Sequence, residues 1–134
     1  MSDAKRRKDV LYVRVKAEDL VGYVINATES TPKKFRNTFV KRMQDYAIDV
    51  LENIVLANNL TEKKERIPYM DKAFLSLQLL DSFARLSEEN KLLTEHQFVT
   101  MSKMIAETLN YLLKWKASTI KVSAADSSQD IRKG

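Results

Sequence analysis

Apolar residues recur through most of this chain at intervals of three and four, the spacing that gathers side chains on one face of an α-helix. The periodicity predicts four helices. The first spans Val15 to Ala27, with Ala17, Leu20, Val21, Val24 and Ile25 on one side. Gly22 within it costs about 1 kcal/mol relative to Ala in an exposed helix, which points to close packing against a neighbour. Glu29-Ser30-Thr31-Pro32 reads as a stop and a restart. Thr31 suits the N-cap, and Pro32 suits the first helical position, where a missing N–H leaves no bond unmade.

Helix two is then expected from Pro32 to Ala57, ended by Asn58-Asn59. Helix three is anchored by Met70, Ala73, Phe74, Leu77, Leu80 and Ala84. Thr61 is a candidate cap for it, but Pro68 is awkward in a helix interior, so a regular start at Ile67 or Pro68 is expected. Helix four has the cleanest start signal. Thr94 serves as N-cap, Gln97 completes a capping box, and Leu93 with Phe98 forms a hydrophobic staple. Its apolar row runs through Phe98, Met101, Ile105, Leu109 and Leu112, with Val99, Met104, Ala106, Tyr111 and Leu113 widening the stripe.

Helices two and three are apolar on more than one face. On a wheel of about 100° per residue, Phe35, Phe39, Met43, Tyr46, Ile48, Val50, Leu51 and Val55 sweep a broad arc. Only Lys41, Arg42, Asp45, Asp49 and Glu52 form a charged strip. An ordinary surface helix buries a stripe roughly 100° wide or a little more. In helix three, Leu75, Leu79 and Leu86 make a second row. The pattern predicts a bundle core on one side and another subunit on the other.

Composition narrows the class. A chain of 134 residues fits one domain. Two glycines and two prolines argue against sandwiches and barrels, which spend both on turns. The fold class is therefore all-α: short connections imply an antiparallel up-down-up-down four-helix bundle over residues 14–118. A basic, mobile segment is expected at 1–13, with the run Lys5-Arg6-Arg7-Lys8, and a polar, disordered tail at 119–134. The apolar run Ile54-Val55-Leu56-Ala57 falls far short of the about 20 residues of a membrane span, so no membrane partner is expected. No charged-then-apolar leader opens the chain, and the absence of cysteine fits a reducing compartment, so a cytoplasmic location is expected.

Catalytic chemistry finds little to work with. Di-iron bundles use Glu-x-x-His pairs, whereas the single histidine, His96, sits in the first turn of helix four without one. Gly22 and Gly134 are the only glycines, which excludes a glycine-rich phosphate loop. No catalytic residue, metal site or cofactor is expected, and the chain reads as a non-enzyme.

Charge points elsewhere. The formal net charge of +5 favours acidic partners, nucleic acid first. In an antiparallel bundle Arg14, Lys16, Lys63, Lys64, Arg66, Lys114, Lys116 and Lys121 share one pole, diluted by Glu18, Asp19, Glu62, Glu65 and Asp71. At the other pole helix two opens with Lys33, Lys34 and Arg36. Cations at a helix N-terminus oppose the macrodipole by about 0.3–1 kcal/mol each. Their presence suggests a ligand that rewards them, with phosphate the natural candidate. Trp115, between Lys114 and Lys116, is either a stacking platform for a base or a cover for the bundle core.

Several segments together resemble a bacterial four-helix-bundle family. They are Ala17-Glu18-Asp19-Leu20 leading to Tyr23, Thr31-Pro32-Lys33-Lys34-Phe35-Arg36, and Val50-Leu51-Glu52-Asn53-Ile54-Val55-Leu56-Ala57-Asn58-Asn59. Leu93-Thr94-Glu95-His96-Gln97 and Met104-Ile105-Ala106-Glu107 through Leu112-Leu113-Lys114-Trp115 complete the match. The family includes Avd, the accessory variability determinant of diversity-generating retroelements, and proteins encoded in ribosomal RNA intervening sequences. The resemblance implies a homopentameric barrel that binds RNA or DNA and partners a reverse transcriptase during mutagenic copying of a template RNA into cDNA. The nucleic-acid-binding candidates are Lys33, Lys34, Arg36, Lys63, Lys64, Arg66, Lys114 and Lys116. The alternative is an oligomeric helical adaptor whose positive charge serves only solubility.

Overall fold

A computed structural model describes the backbone of residues 2–133 and the side chains of residues 10–125. Four α-helices account for most of it: α1 (Ser2–Thr28), α2 (Lys41–Asn59), α3 (Lys63–Glu89) and α4 (Glu95–Lys133). No strand occurs among the described residues. Each helix packs on the next in sequence, and α1 also packs on α4, which closes the bundle. The core is filled by Val13, Ala17, Leu20 and Val24 from α1, Met43, Ala47, Val50 and Ile54 from α2, Met70, Ala73, Leu77 and Leu80 from α3, and Met101, Ile105, Leu112 and Trp115 from α4. Apart from Val13, which falls in the segment expected to be a mobile head, and Trp115, these are positions the three-and-four periodicity selects.

Polar cross-helix contacts fix the register. Gln44 Nε2 on α2 donates to Thr28 Oγ1 on α1 at 3.1 Å, and Ser87 Oγ on α3 lies 3.6 Å from Met43 Sδ. On α4, Ser102 Oγ donates to Asp81 Oδ1 of α3 at 3.2 Å, while Lys116 pairs with Asp71. Tyr12 of α1 lies against Tyr111 of α4 with ring centroids 5.7 Å apart. The buried hydroxyls of Thr28, Thr108 and Thr119 donate to the carbonyls one turn back, Val24, Met104 and Trp115, at 2.7, 2.8 and 2.9 Å. That bond satisfies a buried hydroxyl without a partner helix.

The expected capping box at α4 is present. Thr94 Oγ1 accepts from the Gln97 N–H and Gln97 Oε1 accepts from the Thr94 N–H, both at 3.0 Å. Leu93 of the staple is buried and Phe98 half-buried. Helix α3 ends in a Schellman turn: Leu92 N–H reaches the Ser87 carbonyl at 2.8 Å and Lys91 N–H the Glu88 carbonyl at 2.9 Å. The turn puts Lys91 at φ 61°, a left-handed position usually given to glycine.

Three helix starts differ from the sequence reading. Helix two does not begin as a regular α-helix at Pro32 with Thr31 as its cap. A 3-10 turn (Lys33–Phe35) and a π-helical turn (Arg36–Val40) precede α2, no side-chain cap bond is made, and Thr31 is buried. Lys41 N–H bonds the Arg36 carbonyl five residues back, and Thr38 Oγ1 donates to the Phe35 carbonyl at 3.2 Å. A short polar side chain that competes for a backbone acceptor loosens a helical turn, and Pro32 at φ −55° supplies no N–H to tighten it. Helix α3 starts at Lys63, ahead of Pro68, so one interior N–H is missing where Ile67 or Pro68 was expected as the start. Helix α1 begins well before Val15.

The expected mobile head (1–13) and polar tail (119–134) fall largely on residues whose side chains lie outside the described set. Within that set, Val13 and Thr119 are buried, so packed structure reaches at least that far. Gly22 is exposed, and a Cβ built there meets nothing within 4 Å, so the close packing expected at this glycine is absent inside the protomer.

Candidate nucleic-acid interface

The eight cationic candidates do not form one patch. Lys33, Lys34 and Arg36 lie on the connection between α1 and α2. That connection borders the one between α3 and α4, because Ser30, Thr31, Pro32, Lys91, Leu92 and Thr94 line a common groove of about 510 Å3. Lys63, Lys64 and Arg66 open α3, whose 27 residues place them about 40 Å from its far end. Lys116 joins their end of the bundle through Asp71, and Tyr111 brings Lys114 into the same region beside Tyr12.

Several of these side chains have internal tasks. Arg36 donates from Nε to the Thr31 carbonyl at 3.3 Å and from Nη2 to the Glu29 carbonyl at 3.5 Å, stapling the α1–α2 connection. Arg66 Nε donates to the Leu60 carbonyl at 2.8 Å and does the same for the α2–α3 connection. Lys116 is paired with Asp71. Lys34 Nζ sits 4.9 Å from the Phe35 ring centroid and Lys114 Nζ 5.5 Å from that of Tyr111, contacts that leave the ammonium groups at the surface. Lys33 and Lys64 are exposed and Lys63 half-buried, and none has an ion-pair partner among the described residues.

Of the other basic residues grouped with that pole, Lys16 bonds Glu107 at 3.1 Å, and that hydrogen bond, reinforced by the Glu107 charge, holds its pKa above the usual lysine value. Arg14 pairs with Glu18 of its own helix at 3.2 Å. This end is therefore a mixed field of cations and carboxylates. The stretch from Thr31 to Gln44 is different: it carries Lys33, Lys34, Arg36, Lys41 and Arg42 and no carboxylate. The first turns of its 3-10, π and α segments contain no acidic residue. Lys41 reaches Asp45, just beyond the stretch, at 3.4 Å.

Trp115 settles between its two readings. The residue is 2% exposed and belongs to the core, so it covers the bundle and offers no face to a base. His96 is exposed at the start of α4. Among the described residues no group of three or more His, Asp or Glu side chains is placed to hold a metal ion. No helix among them is long and apolar enough to cross a membrane.

Sequence periodicity pointed to surplus apolar surface but did not locate all of it. Ile48, Leu75 and Leu86 are 43–55% exposed, as the broad arcs of helices two and three led one to expect, while Leu79 of the same outer row is half-buried and Leu56, outside those arcs, is exposed. Leu11, Val15 and Ile25 of α1 and Val99, Leu113 and Ile120 of α4 are exposed as well. The α4 members recur every seventh residue, from Val99 through Ala106 to Leu113 and Ile120; the first three belong to the widened stripe expected of helix four, whereas Ile120 lies in the segment expected to be a polar tail. In comparison with known proteins, the chain matches no family model and no curated protein.

Proposed function

We propose that this chain is a non-catalytic accessory protein of a diversity-generating retroelement, acting in the cytoplasm. It binds RNA or cDNA through its basic ends and docks a reverse transcriptase, supporting mutagenic cDNA synthesis from a template RNA. In this reading the protomer is an antiparallel up-down-up-down bundle. The pairing of Asp81 with Ser102 and of Asp71 with Lys116 supports that order, because one number falls as the other rises. The protomers assemble as the homopentameric barrel that the family resemblance implies, with the exposed rows containing Leu75, Leu86, Val99 and Leu113 covered between subunits.

The observation that carries the nucleic-acid reading is the carboxylate-free stretch Thr31–Gln44, which presents exposed Lys33 and Lys34 where a helical segment begins. Charges there oppose the helix dipole and are rewarded by a polyanion. The test is fluorescence anisotropy of a labelled RNA across a salt series. The reading expects binding at low salt that weakens steeply toward physiological ionic strength. Little binding even at low salt defeats it.

A second reading has an observation of its own. Arg36, Arg66 and Lys116 are engaged inside the protomer, as expected of an oligomeric helical adaptor that binds no nucleic acid. That adaptor self-associates equally well and fails the RNA titration.

A further inference from the structure

Four aromatic rings meet where α2 begins and α3 passes. Phe35 and Phe39 stand edge to face with centroids 6.4 Å apart, Phe39 and Phe83 likewise at 6.2 Å, and Tyr46 tilts against Phe83 at 5.5 Å. All four are half-buried. The π-helical turn Arg36–Val40 carries Phe39 out beside Phe83, and the two rings wall a pocket of about 220 Å3. Its remaining walls are Asn37, Thr38 and Arg42. Packing accounts for Tyr46 and for the inner edges of the rings. It does not account for an aromatic pocket that opens on the one surface stretch with five cations and no carboxylate.

We propose that the pocket walled by Phe39 and Phe83 stacks one unpaired base of a single-stranded polynucleotide against an open aromatic face. Arg42 lies at the rim, and Lys33, Lys34 and Lys41 are placed along the same stretch to follow the phosphates. The proposal rests on the nucleic-acid reading above and makes it specific for strandedness. The chemistry fits: aromatic faces accept any base, an adjacent guanidinium adds a cation–π contact, and flanking lysines track the backbone. Asn37 adds an amide donor and acceptor for a base edge. The pocket falls short of the about 300–1,000 Å3 of a typical small-molecule site, which suits one flat ring system better than a whole nucleotide. A duplex keeps its bases stacked inside and has nothing to insert.

The test compares wild type with Phe39→Leu, which keeps an apolar side chain against the core, and with Arg42→Gln, which leaves the rings intact. Each is titrated with a labelled oligouridylate and with a duplex RNA of equal length, after circular dichroism confirms native helicity. Base–aromatic stacking corresponds to about 5- to 150-fold in affinity per base. Phe39→Leu is expected to weaken oligouridylate binding by at least about fivefold while leaving the duplex affinity and the salt slope unchanged. Wild type should also alter the fluorescence of a 2-aminopurine placed within the strand, a readout independent of any variant. Equal losses on single strand and duplex overturn the proposal, as does a wild type that binds both alike with no 2-aminopurine response. A change in sedimenting mass on Phe39→Leu overturns it too, because the pocket is then an interface between copies. Absence of binding to either RNA by wild type defeats the underlying nucleic-acid reading instead.

Discussion

Replacing Leu75 by Glu tests whether the outer apolar surface is a subunit interface. Leu75 keeps 55% of its surface exposed on the protomer, and its α3 neighbour Leu86 keeps 43%. Complete burial of a leucine is worth about 1.5–3 kcal/mol, so covering the exposed half of Leu75 contributes about 1 kcal/mol to assembly. A glutamate removes that contribution and adds the penalty of desolvating an unpaired carboxylate, several kcal/mol if it is fully enclosed. A loss of even 1.4 kcal/mol moves the association midpoint about tenfold in concentration. The core of the protomer stays intact, because Leu75 is not one of its members. Sedimentation equilibrium should show wild type at a multiple of 15.5 kDa and Leu75→Glu shifted strongly toward that mass, with helicity preserved. A wild type that sediments as a lone protomer at tens of micromolar refutes the reasoning. So does a Leu75→Glu protein that assembles as tightly as wild type.

Three further outcomes concern stability. Lys91→Gly relieves the left-handed φ of 61°, a conformation costing about 1–2 kcal/mol for a residue with a Cβ, and this gain is partly offset by the freedom glycine adds to the unfolded chain. A rise of a few degrees in Tm is expected, and a fall contradicts the strain assigned to that turn. Thr94→Ala should cost about 1 kcal/mol, and a double-mutant cycle with Gln97→Ala should be non-additive because the two residues share the capping box; strict additivity argues against it. Burial chiefly, with Glu52 and Asp45 nearby, raises the Asp49 pKa, so its ionised form is disfavoured in the folded state. The penalty is present above the folded pKa and vanishes as pH falls below the ordinary carboxylate range. Asp49→Asn should therefore stabilise at neutral pH with an advantage that shrinks in acid, and a pH-independent difference contradicts that cause.

What could be read from the sequence was local or periodic. The capping box at Thr94 and Gln97 was legible because both partners lie within one turn, and the core rows were legible because packing repeats every three to four residues. The start of helix two was not. Thr31 and Pro32 carry a standard start signal, but Thr38 and the Arg36 staple to Thr31 draw the backbone into 3-10 and π turns. Pro68 misled in the other direction, since tertiary packing of Met70 and Ala73 carries α3 past a missing N–H. Among the candidate cations, sequence distinguished none by role. Only the fold separates Arg36 and Arg66, which hold loop carbonyls, from exposed Lys33 and Lys34. The aromatic pocket was equally hidden, because Phe83 reaches Phe39 only through the packing of α3 beside the π turn.

Charge reversal at Lys33 and Lys34 puts the nucleic-acid claim to its most direct test, because these two exposed cations can be changed without touching either loop staple. The measurement is the salt dependence of single-stranded RNA affinity for wild type and for the Lys33→Glu, Lys34→Glu double variant, at matched sedimenting mass. Each phosphate contact adds about −0.7 to the slope of log affinity against log salt, so loss of two contacts should flatten it by about 1.4 and weaken binding at low salt. A double variant with the affinity and slope of wild type contradicts the account.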